Sequence, residues 1–240
     1  MRATQSEQNQ IRQAQAILEK CLGGDADILR NEFFLQLIRQ TTDHPIPNSR
    51  VNIKHWQLLA LACSLTQPSD RRVLAYLHAH LRRCALDQIT REGQYAQFAL
   101  RNLQGTLETR GRRLAPSRPE IAATIQCRRV YARVHFLDGH FQAVEFDACA
   151  VIAEVLEQIQ LKIELRTHAP GYALYQVLGQ NGAEQALQPE DKVGDAIAFW
   201  ERWHDEHLGQ VQNGSTAAAG VVRNGGTQEP IHYFIFKVCT

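Results

Sequence analysis

Histidines are the first residues of this chain to test for chemistry. His78 and His80 stand two apart with Cys84 four residues beyond, a set of imidazoles and thiol of the kind that holds zinc. On a helix, however, positions i and i+2 point to different faces, so the two rings cannot share one ion and solvated side chains are expected. His204 and His207 are better spaced at i, i+3, but Asp205 and Glu206 fall on other faces and complete no ligand set, so these too are expected at the surface. Gly179-Gln-Asn-Gly182 and Asn224-Gly-Gly-Thr227 lack the flanking strand, the glycine spacing and the lysine of a phosphate loop, and read as turns. Neither a Gly-x-Ser-x-Gly elbow nor a His-Glu-x-x-His pair occurs. Asn213-Gly-Ser215 fits the glycosylation acceptor pattern, which is silent in a chain whose amino end shows no signal peptide. The expectation is a chain that is not an enzyme and uses no cofactor and no metal.

Charge carries more information. Lys and Arg number 26 against 25 Asp and Glu, a net charge of +1 that argues against nucleic acid as a partner. The distribution is uneven: residues 1–129 hold 19 basic and 11 acidic groups, and residues 130–240 hold 7 and 14. Such asymmetry suggests two units with different partners, or two units that attract each other. Within the basic part, Arg71, Arg72, Arg82, Arg83, Arg110, Arg112 and Arg113 come from two helices and a connector, and can form one positive face for an acidic partner. The competing reading is ordinary solvated arginines, or arginines docked on the acidic second half.

The elements that must position these residues follow from hydrophobic period. At 240 residues with 44% hydrophobic content the chain can bury a sizeable core, and two domains are expected. Residues 1–20 are Gln-rich, with Ile11, Ile17 and Leu18 the only large aliphatics, and read as a frayed or partial helix. Phe33, Phe34, Leu37, Ile38 and Thr41 recur at helical spacing, with Arg30 and Arg39 free to point outward, until His44-Pro45-Ile46-Pro47 stops the helix. From about Val51 to Leu65 the next helix is apolar nearly all round, with Trp56, Leu59, Ala60 and Cys63 on one face, which suits the middle of a bundle. Ser69 or Asp70 can cap a third helix whose buried stripe is Val73, Leu74, Leu77, Leu81 and Cys84. A fourth runs from about Arg91 to Glu108 with Tyr95, Ala99, Leu103 and Leu107 inward. A basic, proline-bearing connector, Arg110 to Pro119, follows, and Glu120 to Ile125 can add one last turn.

The period then becomes two. Val130 to Phe136 alternates as a strand, Asp138-Gly139 is a strong hairpin signal, and Phe141 to Phe146 returns as its partner. Ile152, Val155, Leu156, Ile159 and Ile163 make an amphipathic helix, Tyr172 to Leu178 and Ile231 to Val238 two more strands, and Asp191 to Leu208 a helix carrying Trp200 and Trp203. Residues 209–230, rich in Gly, Ala, Asn and Gln, are expected to be a mobile loop. The six cysteines are scattered without a Cys-x-x-Cys, and no apolar run is long enough to span a bilayer, which points to a reduced intracellular protein. The fold class is α+β: an all-α bundle, then a ubiquitin-like β-grasp unit.

The residues Leu29-Arg-Asn-Glu-Phe-Phe-Leu-Gln-Leu-Ile-Arg-Gln-Thr-Thr42, then Trp56-Gln-Leu-Leu-Ala-Leu61 and Pro68-Ser69, resemble in type and order the core of the myosin tail homology 4 (MyTH4) domain. Pro116-Ser-Arg-Pro-Glu-Ile121 resembles the segment that joins this module to a FERM domain. Val134-His-Phe-Leu-Asp-Gly139, Gly171-Tyr-Ala-Leu-Tyr175 and Asp195-Ala-Ile-Ala-Phe-Trp-Glu201 resemble the first, ubiquitin-like FERM lobe. The His-Pro-x-Pro-Asn-Ser turn and the Ala-Phe-Trp-Glu ending are most similar to pleckstrin-homology proteins that carry the tandem. The resemblance implies a fragment: an amino-terminally incomplete MyTH4 domain at 1–125 and a first FERM lobe at 126–240. It implies a cytoplasmic, cytoskeleton-associated adaptor that binds proteins, with tubulin acidic tails or receptor cytoplasmic tails as partners and membrane association only through regions outside this sequence. Two alternatives stand beside it. The helical half could regulate a small GTPase through an exposed arginine finger, or the ubiquitin-like half could bind alone with the bundle as spacer.

Overall fold

The computed structural model describes residues 5–23, 26–46, 48–165, 171–178, 183–209 and 232–238. The turns expected at 179–182 and 224–227, the glycosylation pattern at 213–215, Pro47, Cys239 and the loop expected over 210–230 therefore lie outside the described residues.

Six helices come first: α1 (Gln5–Leu22), α2 (Asp27–Thr41), α3 (Arg50–Leu65), α4 (Arg71–Cys84), α5 (Arg91–Thr109) and α6 (Arg118–Ile125). Short polar side chains start α3 to α6, by accepting amide hydrogens that the first turn leaves without partners, whereas α2 follows Ala26 with no side-chain cap. Ser49 accepts from the Asn52 amide at 3.2 Å, Asp70 from Arg72 at 2.7 Å and Thr90 from Gly93 at 3.1 Å. Ser117 and Glu120 form a reciprocal capping box that makes α6 a full eight-residue helix rather than one turn. The bundle closes on Phe34, Trp56, Leu59, Leu77, Tyr95 and Leu103, with α3 in the middle as its all-round apolar pattern requires.

Three details differ from the periodicity reading. Leu107 is 43% exposed, and Thr106 takes the inward position, donating to the Cys63 carbonyl at 2.8 Å. A hydroxyl that returns a hydrogen bond to the neighbouring helix is buried at little cost. Arg30 turns back and donates to the Cys21 carbonyl at 3.0 Å, serving the last turn of α1 rather than facing water. Helix α1 is a full 18-residue helix whose Leu18 and Cys21 are buried while Ile17 is exposed.

The second half is one five-stranded mixed sheet from β1 (Val130–Phe136), β2 (Phe141–Phe146), β3 (Tyr172–Leu178), β4 (Ala183–Ala186) and β5 (Tyr233–Val238), in the order β2-β1-β5-β3-β4. Strands β1 and β5 are parallel, and the other neighbours antiparallel. At the β1–β2 turn Gly139 adopts φ 86, which only glycine does without strain, and Asp138 accepts from the His140 amide at 3.0 Å. Helices α7 (Ile152–Lys162) and α8 (Val193–Gly209) complete the lobe, whose core gathers Val134, Val144, Phe146, Ile159, Leu174 and Phe234. Strand β4 had no period-two signal because all four of its residues are exposed; only backbone pairing with β3 makes it a strand.

Candidate partner-binding surface

Seven arginines were singled out, and the structure divides them into three environments. Arg71, Arg72, Arg82 and Arg83 are exposed on α4. Eleven residues separate Arg71 from Arg82, about 16 Å along the axis and almost a whole number of turns, so both pairs sit on one side of the helix. Tyr76, 58% exposed, lies between them. Among the described residues the one acidic contact of this set is Arg83 to Asp43 at 4.0 Å, and that carboxylate is itself 85% exposed, so it neutralises little.

Arg110 and Arg113 are exposed on the connector. The connector returns toward the start of α4, because the Arg112 amide donates to Leu65 at the end of α3 at 2.7 Å.

Arg112 is buried, and this corrects its assignment to the basic face: a guanidinium with no exposed side-chain surface cannot meet a partner. It pairs with buried Glu120 of α6, and its Nε donates to Asp195 of α8 at 2.9 Å. Glu120 also accepts from the Ser117 amide and hydroxyl, and Asp195 from the amides of Arg113 and Leu114. Burial alone would favour loss of the arginine's proton, but the two carboxylates outweigh it and hold the charge more firmly than usual. Gly194 lets this happen: a Cβ there would stand 2.7 Å from the guanidinium carbon. The bundle, connector and lobe are thus fastened at one ionic node.

The histidines also separate. His78 is exposed as expected, but His80 is buried, stacked on Trp56 at a ring distance of 5.4 Å and hydrogen-bonded to the Thr41 hydroxyl at 2.9 Å. It reaches 4.0 Å from Cys84 Sγ, yet among the described residues no three His, Cys, Asp or Glu side chains are placed to hold a metal ion. The signal was present in the sequence, since Val73, Leu77, His80 and Cys84 recur at i, i+4, i+7 and i+11. Burial, helped by the neighbouring charge of Arg83 and opposed by Asp43, lowers the His80 pKa to about 4. An unfolded histidine titrates near ~6.5, so both states are neutral above that value, and between it and the folded pKa the unfolded state gains the proton first. Stability should therefore fall by about 3 kcal/mol as pH drops from 7 to 4, and then level off. Urea unfolding across that range checks it: the His80→Gln variant should show a flatter pH dependence, and equal slopes would refute the assignment.

A groove of about 350 Å³ opens between the two halves. Thr109, Arg110, Arg113 and Leu114 line one side, and Gln185, Leu187, Ala196 and Phe199 are among the residues of the other. Lys192 lies beneath it, donating to the Thr109 hydroxyl and the Cys149 carbonyl, and burial lowers its pKa.

Bundle, connector and grasp-type sheet in this order can be compared with known proteins. Residues 14–123 match the MyTH4 domain family, and residues 128–219 match the RA-like domain family. The chain carries a MyTH4 domain followed by an RA-like, FERM-type lobe. The pleckstrin homology domain-containing family H member 3 of Homo sapiens is 30% identical over 202 residues, 81% of this chain and 24% of that protein. The myosin-I heavy chain of Dictyostelium discoideum is 25% identical over 174 residues, 71% of this chain and 7% of that one. Among solved structures, the MyTH4-FERM MF1 domain of Dictyostelium discoideum myosin VII superposes with a TM-score of 0.79 at 22% identity, covering 98% of this chain and 44% of that one. The human myosin 7b carboxy-terminal MyTH4-FERM domain, solved in complex with the harmonin-a PDZ3 domain, gives 0.64 at 18% identity over 88% and 38%. The chain thus spans less than half the length of each of these proteins. The α4 face belongs to the MyTH4 domain, the groove lies between it and the RA-like lobe, and no described helix is long and apolar enough to cross a membrane.

Proposed function

We propose that this chain is the protein-binding part of a non-enzymatic cytoskeletal adaptor, and that the MyTH4 domain docks an acidic protein segment on α4, the acidic tails of tubulin being the first candidate. The observation that carries the reading is the set Arg71, Arg72, Arg82 and Arg83, exposed on one side of one helix around Tyr76. Flexible acidic tails suit such a surface because charge steers the encounter and Arg forks take carboxylates in pairs. Relatives among myosin tails support a place at the cytoskeleton in the cytoplasm, and the harmonin complex of myosin 7b supports a protein rather than a small molecule as ligand.

Microtubule co-sedimentation tests this. Reversing Arg71, Arg72, Arg82 and Arg83 to Glu should weaken binding at least about ten-fold, and raising salt toward ~0.2 M should weaken the wild type. Binding that survives the reversal, or ignores salt, sinks the proposal. Arg112 is left intact because its reversal would test folding instead.

A further inference from the structure

On a chain already read as a protein-binding module, the groove between the MyTH4 domain and the RA-like lobe is a surface apart from the α4 face. Its two walls differ in chemistry. On the MyTH4 side Arg110 and Arg113 are exposed, and neither makes an ion pair among the described residues. Three lobe carboxylates also line the groove: Asp195 is engaged by Arg112 and two backbone amides, Asp191 accepts from the Gln188 amide at 2.9 Å, and Glu190 is exposed. None of the three pairs with Arg110 or Arg113 among the described residues, so both guanidiniums can take carboxylates from outside. On the lobe side Phe199 leaves 43% of its surface uncovered beside the nearly buried Leu187 and Ala196.

Two backbone features favour an extended ligand. Strand β4 is the last in the sheet order, its outer edge is unpaired among the described residues, and Gln185 of β4 lines the groove. Arg110 holds φ 77, a backbone conformation that non-glycine residues rarely adopt and that persists where surroundings enforce it. Gly111 follows against the Leu65 carbonyl, where an added Cβ would come within 3.1 Å. The connector is thus pinned in a shape that displays Arg110 and Arg113 along one wall.

We propose that this groove binds an extended acidic peptide segment carrying one bulky apolar side chain. The apolar side chain covers Leu187, Ala196 and Phe199, and flanking carboxylates pair with Arg110 and Arg113. This surface is separate from the α4 face.

Fluorescence anisotropy of the full chain with the labelled peptide Gly-Glu-Asp-Leu-Phe-Glu-Asp-Gly tests the proposal. Binding should be saturable and should fall about ten-fold in the Arg110→Glu/Arg113→Glu variant and about five-fold in Phe199→Ala. The Arg71→Glu/Arg72→Glu variant should bind as the wild type does. With benzoylphenylalanine in place of the peptide's Phe, photo-cross-links should fall in residues 109–114 and 185–199. Absence of saturable binding, unchanged affinity in Arg110→Glu/Arg113→Glu, equal affinity for an all-Glu peptide, or cross-links confined elsewhere would each overturn it. Failure here with microtubule binding intact removes the groove site alone; loss of microtubule binding with peptide binding intact removes the α4 reading alone. Thermal melts of each variant show whether a loss comes from unfolding, and Phe199→Ala keeps the question open if the double reversal does not fold.

Discussion

Replacing Arg112 by Met should destabilise the chain by about 3–5 kcal/mol, the cost of leaving a buried charge without its partner. The side chains of Arg112 and Glu120 are 0% and 1% exposed, so water cannot replace the lost pair. Glu120 would keep its bonds to Ser117, but Asp195 would hold only backbone amides on the connector. Substituting Lys should rescue little, since one ammonium cannot reach two carboxylates with the geometry of a guanidinium fork. Arg112→Met/Glu120→Gln should recover part of the loss, because the orphaned charge is gone while a capping oxygen remains. Urea denaturation gives the size of each change, and limited proteolysis should show early cleavage between residues 110 and 117. A loss under ~1 kcal/mol for Arg112→Met would mean that the node contributes no more than a surface ion pair.

The second large effect is expected at Trp56. Its side chain is 1% exposed and packs where α2, α3 and α4 meet, with His80 stacked on its ring. Trp56→Ala should cost about 3–5 kcal/mol, combining lost transfer free energy with an unfilled cavity. Trp56→Phe should cost much less, because the indole nitrogen is buried with no hydrogen-bond partner among the described residues and its removal relieves an unmade bond. Water entering the space left by Ala would rehydrate His80, so Trp56→Ala should also weaken the pH dependence assigned to that histidine. Denaturation of both single variants and the Trp56→Ala/His80→Gln pair at pH 7 and ~4.5 measures the coupling, and additivity within ~0.3 kcal/mol would exclude it.

The residues that sequence reading placed well are those whose partners lie one helical turn or one hairpin away. Leu77 and Leu81 are buried because stripe and helix have the same period, and Asp138-Gly139 turns the chain because the conformation is local. His80 shares that period, yet the i, i+2 geometry that denies it a metal ion shared with His78 does not make it solvated, because a hydroxyl and a ring await the side chain. Arg112 was beyond such reading. It sits in a run of like charges, and the carboxylates that bury it lie 8 and 83 positions away. Strand β4 failed for the converse reason, since Ala183–Ala186 gains its structure from a neighbour and carries no pattern of its own. The resemblance to MyTH4 and FERM modules came through because its motifs carry Phe34, Leu37 and Ile38 and then Trp56, Leu59, Ala60 and Leu61, core positions where packing restricts residue choice.

The place of β5 sets the order in which this molecule can be assembled. Tyr233–Val238 is the last strand made, yet it lies between β1 and β3. The bundle closes on contacts within the first half and can mature while synthesis continues, whereas the lobe must hold β1–β2 and β3–β4 as separate hairpins until the final stretch arrives. A chain that stops anywhere ahead of Tyr233 therefore lacks the middle of the sheet and exposes two apolar seams, so losing these six residues should damage the lobe as much as losing a whole hairpin.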